Sequence, residues 1–170
     1  LFIFSNKDLR NILLKKNVLI GKRIKRICKK YKVKYIVNDS PTLAKKVNAD
    51  GCHLGQKDIK INLARNIIKK KIIGITCHNS KKLVIRASKQ KANYIALGAF
   101  YKSKTKKVRY YAKPSLLKWT KKNIKCPVVA IGGITSKNYK KLLLHKADFL
   151  AISGYFWKKN PSKAIKEFLW

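Results

Sequence analysis

A chain of 170 residues with 46% hydrophobic content is long enough for one domain with a real core, and too apolar for a disordered basic tail. No apolar run approaches a membrane span and no secretory pattern opens the chain, so the expectation is a cytoplasmic protein. The formal net charge of +37 is the footprint of a nucleic-acid binder, but 37 of the 43 basic residues are lysine and they are spread along the whole chain. With plentiful Ile, Asn, Tyr and Phe, that mix is what an AT-rich genome writes into solvated positions, and a lysine background is favoured over a nucleic-acid interface.

In chain order, strands are predicted at 1–5, 33–38, 51–54, 72–77, 94–98, 128–132 and 149–153. These runs are apolar throughout rather than alternating, the mark of parallel strands buried on both faces. The segments between them read as amphipathic helices. One spans 20–32, with Ile20, Ile24, Ile27 and Cys28 on one face. A second spans 80–91, with Leu83, Val84 and Ala87 sharing a face. A third spans 136–145 with Ser136 as N-cap, and the last spans 161–169 with Pro161 in its first turn. Strand–helix steps of about 20 residues point to an α/β fold with a parallel sheet, either doubly wound or a closed (β/α)8 barrel. Cys28, Cys52, Cys77 and Cys126 make no CxxC pair and read as small apolar residues of a reduced protein.

In parallel α/β folds chemistry collects at the C-terminal strand ends. The second predicted strand ends in Asn38-Asp39, and the third runs into His53-Leu54-Gly55-Gln56-Lys57-Asp58. The fourth ends in Thr76-Cys77-His78-Asn79, and the fifth leads into Ser103-Lys104-Thr105-Lys106. The sixth ends in Gly132-Gly133 and the seventh in Ser153-Gly154. Two carboxylates at neighbouring ends suit Mg²⁺, which takes one or two carboxylates plus phosphate oxygens. Lysines and hydroxyls can take the remaining phosphate charge, and Gly-Gly before a helix offers backbone N–H groups to a second phosphate. With only five Asp in the chain, Asp39 and Asp58 at two such ends disfavour accident. Plainer readings stand beside these. Asn-Asp-Ser-Pro also reads as a turn with a helix cap, His53 as a packed or hydrogen-bonded strand residue, the 104–107 lysines as solvated charge, and Gly132-Gly133 as a tight turn.

Taken in order, these motifs resemble the thiamine phosphate synthase / TenI family. The matching text runs from Asn38-Asp39 through Ala49-Asp50-Gly51-Cys52-His53-Leu54-Gly55-Gln56-Lys57-Asp58 to Ile73-Gly74-Ile75-Thr76-Cys77-His78-Asn79. It continues in Ala96-Leu97-Gly98-Ala99, Ser103-Lys104-Thr105-Lys106, Val129-Ala130-Ile131-Gly132-Gly133 and Ala147-Asp148 to Ser153. The resemblance implies a (β/α)8 barrel, one domain over 1–170, and an enzyme that joins hydroxymethylpyrimidine diphosphate to thiazole phosphate with loss of pyrophosphate. It implies Mg²⁺ as cofactor on Asp39 and Asp58, with Lys7, Asn38, Thr76 and Lys106 on the pyrophosphate oxygens. Ser103 and Thr105 would line the thiazole side, and Gly133, Ile152 and Ser153 would receive its phosphate, through backbone N–H groups at Gly133 and Ser153. The partners implied are these two small phosphorylated substrates, with no membrane and no nucleic acid; self-association is left open.

The sequence departs from the family pattern at three points. A usual Gln-x-Arg-x-Lys strand end reads Ile3, Ser5, Lys7, so the Lys stays and the bidentate Arg is gone. Thr76 stands for a usual Ser, and Lys102 for the Pro before the Ser/Thr-x-Thr-Lys segment. The TenI tautomerase branch lacks the Asp pair and carries a His after the fifth-strand glycine; here that residue is Ala99, which favours the synthase branch. Rival readings are a non-catalytic paralogue that binds the same phosphates, a TenI-type tautomerase, and a basic nucleic-acid binder. Position 1 is not Met and seven strands are read instead of eight, so the expectation is that the first β-α unit is absent and strand edges are left open.

Overall fold

The computed structural model describes residues 2–4, 14–103, 108–157 and 159–168. Strands and helices alternate: β1 Phe2–Phe4, α1 Leu14–Lys30, β2 Tyr35–Asn38, α2 Pro41–Lys46, β3 Gly51–Leu54, α3 Ile61–Ile68 and β4 Ile72–His78. They continue as α4 Lys81–Lys89, β5 Tyr94–Gly98, α5 Ser115–Asn123, β6 Val128–Ile131, α6 Tyr139–Leu144, β7 Phe149–Ala151, α7 Gly154–Trp157 and α8 Pro161–Lys166. The chain divides into two compact units, 1–76 and 77–170, with the boundary inside β4.

In the first unit β1, β2, β3 and β4 pair in chain order, each parallel to the next, with Ile36 opposite Gly51 and Cys52 opposite Ile73. In the second, β5 pairs with β6 and β6 with β7, again parallel. The α/β fold with parallel strands is therefore as expected from the apolar runs. Tyr35, Ile36, Val37, Cys52 and Leu54 form the buried centre of the first unit; Ile95, Leu97, Val128, Val129, Leu117 and Leu142 form that of the second. Burial on both strand faces is what removes the alternation from the sequence.

Each unit repeats one device at a strand start. Asp50, just before β3, accepts the Tyr35 N–H that opens β2 at 2.9 Å and pairs with Lys25 of α1 at 2.6 Å. Asp148, just before β7, accepts the Val128 N–H that opens β6 at 2.7 Å and pairs with Lys121 of α5 at 2.9 Å. A carboxylate thus satisfies the first amide of the neighbouring strand and draws in a helix lysine.

The helices differ from expectation in detail. Ser40 and Ser80 cap α2 and α4, accepting the Leu43 and Leu83 N–H groups, with Pro41 in the first turn of α2. Ser136 does not cap α6: the helix starts three residues later, and the Ser136 hydroxyl meets the Tyr155 hydroxyl at 2.7 Å. α1 begins earlier than expected and ends at Lys30, and α8 ends at Lys166 rather than 169. On α1, Cys28 is buried but Ile27 is 58% exposed, so the expected four-residue face is narrower. Gly21 sits in mid-helix because α1 lies close to α2's C-cap: a Cβ there would come within 2.7 Å of Val47 Cγ1. The β6 and β7 strands stop at Ile131 and Ala151, and Phe149 is 53% exposed, so β7 is less buried than its apolar sequence implied. Among the described residues, no helix is long and apolar enough to cross a membrane.

Candidate active site

The polar strand ends of the first unit gather around the head of β3. Asn38 closes β2 opposite His53, and the next residue, Asp39, turns the chain with φ 66°. Asp tolerates this left-handed conformation better than most residues, and such backbone clusters at functional sites. Two bonds fix it: the Asp39 N–H donates to the His53 carbonyl at 2.7 Å, and Asn38 Nδ2 donates to Asp39 Oδ1 at 2.7 Å. Asp58 folds back on its own loop, where its Oδ2 accepts the Gly55 N–H at 2.7 Å. Both carboxylates are half-buried. Cys52 of β3 is fully buried: burial pushes its thiol up to about 12, and the negative charges of Asp39 and Asp58 push the same way.

Thr76, near the end of β4, is held from β3 and the turn after it. His53 Nε2 and Thr76 Oγ1 are 2.8 Å apart, and Gln56 Nε2 donates to the Thr76 carbonyl at 2.5 Å. His53 is only 7% exposed, in keeping with its reading as a hydrogen-bonded strand residue. The structure thus brings Asn38, Asp39, Asp58 and Thr76 together on three consecutive strand ends of one unit. Gln56 was not among the expected site residues; its place within the His53-to-Asp58 run was the available signal.

In the second unit the segment after β5 lies on the glycines after β6. The Tyr101 N–H donates to the Gly132 carbonyl at 3.0 Å, and the Phe100 N–H to the Ile131 carbonyl at 3.1 Å. Gly133 has φ 64°, and a Cβ there would run into the Lys102 and Tyr101 carbonyl oxygens, so only glycine lets Tyr101-Lys102 approach this turn. Asn138 fastens the turn: its Oδ1 accepts the Thr135 N–H at 2.9 Å, its Nδ2 donates to the Gly133 carbonyl at 3.1 Å, and its own carbonyl accepts the Tyr101 hydroxyl at 3.0 Å. Ile131 pairs with Ala151, so Gly132-Gly133 and Ile152-Ser153 leave adjacent strand ends. The Ser153 carbonyl, just before α7, accepts the Phe156 and Trp157 N–H groups of that helix.

Two further groups had no role assigned from the sequence, although His78-Asn79 stood among the strand-end residues. His78, with φ 51°, packs its ring at 4.8 Å from that of Tyr110, and Asn79 Nδ2 donates to the Tyr111 carbonyl at 3.2 Å, which ties the end of β4 to residues 110–111. Burial lowers the His78 pKa, favouring its neutral form. Near the C-terminus, Glu167 accepts from Ser136, Tyr155 and Lys159 amid the rings of Tyr155, Phe156 and Phe168. Lys7, Thr105 and Lys106, with Ser5, lie outside the described residues. Among those described, no group of three or more His, Cys, Asp or Glu side chains forms a ready metal cluster.

The family described as thiamine monophosphate synthase matches residues 2–155. The chain belongs to this family. A thiamine-phosphate synthase of Pelagibacter ubique is 58% identical over 153 residues, covering 88% of this chain and 74% of the relative. One from Erythrobacter litoralis is 40% identical over 152 residues, covering 88% of this chain and 71% of the relative. The solved thiamine phosphate pyrophosphorylase of Pyrococcus furiosus superposes with a TM-score of 0.85 at 28% identity, covering 94% of this chain and 77% of that one. The family's fold class, the α/β barrel type, is that of this chain, as the ordered motifs implied.

Proposed function

We propose that this chain is a thiamine-phosphate synthase of the synthase rather than the tautomerase branch. The observation that carries the reading is the convergence of Asn38, Asp39, Asp58 and Thr76 on three consecutive strand ends. The reaction breaks the C–O bond between the pyrimidine methylene and the diphosphate, and the electron pair leaves on pyrophosphate. The thiazole nitrogen lone pair then forms the new C–N bond. No redox partner is needed, and the chief demand on the protein is stabilisation of charge on the leaving group.

Asp39 and Asp58 fit Mg²⁺: they are half-buried oxygen donors at neighbouring strand ends, and this hard cation takes few protein ligands and completes its shell with water and phosphate. When bound there, the ion supplies positive charge to the departing pyrophosphate. Asn38 Nδ2 orients the Asp39 carboxylate, and Asn38 is placed with it on the pyrophosphate side. The Thr76 hydroxyl holds another oxygen, and Lys7 and Lys106 contribute charge. Ser103 and Thr105 border the thiazole, and Gly133, Ile152 and Ser153 take its phosphate, through the Gly133 and Ser153 amides. Ala99 in place of a histidine leaves the tautomerase reading without its proton carrier.

The test is pyrophosphate release by the purified protein from the two substrates. Release that requires Mg²⁺, and is abolished by Asp58→Ala in a folded protein, is the expected result. Wild-type protein that stays inert under saturating Mg²⁺ and both substrates overturns the proposal.

A further inference from the structure

His53 is the one imidazole built into the core of the first unit, set between the buried residues Cys52 and Leu54. Its carbonyl fixes Asp39 through the 2.7 Å bond from the Asp39 N–H, and its ring meets Thr76 Oγ1 at 2.8 Å, 23 residues away. The Gln56 side chain holds the Thr76 carbonyl at 2.5 Å, so the Thr76 backbone is fixed independently of the imidazole. What remains for His53 Nε2 to decide is where the Thr76 hydroxyl proton points.

A hydroxyl has one proton and two lone pairs. If Nε2 is bare, it accepts the Thr76 proton, and the oxygen then shows only lone pairs to an approaching anion. If Nε2 carries its proton, it fills one of those lone pairs, and the hydroxyl proton turns outward as a donor. Only the second arrangement attracts a phosphate oxygen. We propose that His53 is a positioning residue that holds its Nε2–H tautomer and donates to Thr76 Oγ1, so that the Thr76 hydroxyl serves as a donor to the diphosphate. This rests on the reading of Thr76 as a diphosphate contact. It accounts for a histidine at a strand position where an apolar side chain would pack as well: Leu at 53 would fill space but leave the hydroxyl free to point either way.

Three measurements test it. In ¹⁵N-histidine-labelled wild-type protein with Mg²⁺ and inorganic pyrophosphate, long-range ¹H–¹⁵N spectra resolve three histidines, and His53 is expected to carry its proton on Nε2. A His53 protonated on Nδ1 alone overturns the proposal. In turnover, His53→Leu is expected to weaken use of the pyrimidine diphosphate about 10- to 100-fold, the worth of one hydrogen bond to a charged group. His53→Gln, whose side-chain amide supplies a donor near the Nε2 position, is expected to recover most of that loss. A purely structural role predicts equal loss in both variants, with a matching fall in thermal stability. In a Thr76→Val background, His53→Leu is expected to cost less than about twofold more, because the two act through one group. Full activity of His53→Leu in an active wild-type framework refutes the positioning role while the synthase reading stands. Wild-type protein that neither turns over nor binds Mg²⁺–pyrophosphate overturns both.

Discussion

Asp58 has two roles that substitution can separate. Its Oδ2 accepts the Gly55 N–H at 2.7 Å, a charge-assisted bond within a half-buried loop, and the proposed function gives the same carboxylate to Mg²⁺. Asp58→Asn keeps an acceptor for Gly55 but removes the charge. A hydrogen bond to a charged group is worth about 1.5–3 kcal/mol and a neutral one about 0.5–1.5, so the structural cost is about 1 kcal/mol. For a domain of this size that is a Tm decrease of roughly 2–4 °C. Asp58→Ala deletes the acceptor altogether and is expected to cost about 2 kcal/mol. The functional losses should rank differently, since the carboxylate charge is lost in both variants. Asn and Ala should therefore be similarly deficient, each needing at least about tenfold more Mg²⁺ for half-maximal pyrophosphate release, if activity is recovered at all. The assays are thermal unfolding followed by circular dichroism and pyrophosphate release across a Mg²⁺ titration. An Asp58→Asn variant with wild-type rate and wild-type Mg²⁺ dependence would refute the assignment of Asp58 to the metal. A loss of activity that follows the loss of Tm across the two variants would reduce Asp58 to a loop staple.

Asp148→Ala removes the acceptor of the Val128 N–H and the Lys121 pair, and is expected to destabilise by about 2 kcal/mol, nearly all from the amide bond because the exposed ion pair adds little; chemical denaturation measures it. Burial opposes the charged form of Asp50, but hydrogen bonds from Lys25 and the Tyr35 N–H, with the Lys25 and Lys34 charges, hold its carboxyl below the ordinary value. Its folded pKa being depressed, its contribution is full above the unfolded pKa and fades as pH falls through the folded one, so Asp50→Asn should flatten the acid limb of a stability–pH curve. Glu167 is lowered from 4.5 to about 2 by hydrogen bonds from Lys159, Tyr155 and Ser136, so these contacts hold above about 4.5 and are lost as pH falls toward about 2, which ¹³C carboxyl titration should show. Burial pushes the thiols of Cys52 and Cys77 up to about 12, so alkylation at pH 8 should leave both unmodified until the protein is unfolded.

The strands were legible because burial on both faces writes itself as unbroken apolar runs, and α4 because Leu83, Val84 and Ala87 share a face; α2 showed only as the cap reading of Asn-Asp-Ser-Pro. Ser136 misled for a physical reason: Asn138, two residues on, spends its side chain on Thr135 and Gly133, the helix starts after it, and the serine is taken by Tyr155. The exposure of Ile27 was hidden because a wide helical face and a narrow one share the same spacing; packing chose the small Cys28 for burial. β7 reads as apolar as the other strands, and only its surroundings leave Phe149 half-open.

The acids carry the sharper lesson. Scarcity singled out Asp39 and Asp58, yet scarcity alone would have singled out Asp50 and Asp148 equally. What separates the pairs is the end of the strand they occupy. Asp50 and Asp148 precede strands, where a carboxylate finds the unmatched first amide of the neighbouring strand and a helix lysine, and its charge is used in holding the fold. Asp39 and Asp58 follow strands, on the side where the chain turns back, and each is bonded from its own loop: Asn38 to Asp39, and Gly55 to Asp58. A carboxylate bonded from its own loop is oriented by it, which suits the ligand role that the proposed function gives both acids. Under the proposed function, strand polarity, which the sequence does carry, therefore sorts the fold-holding acids from the metal-binding ones. The contact of His53 with Thr76 joins residues 23 apart on two strands, and only the register of β3 against β4 puts them in reach.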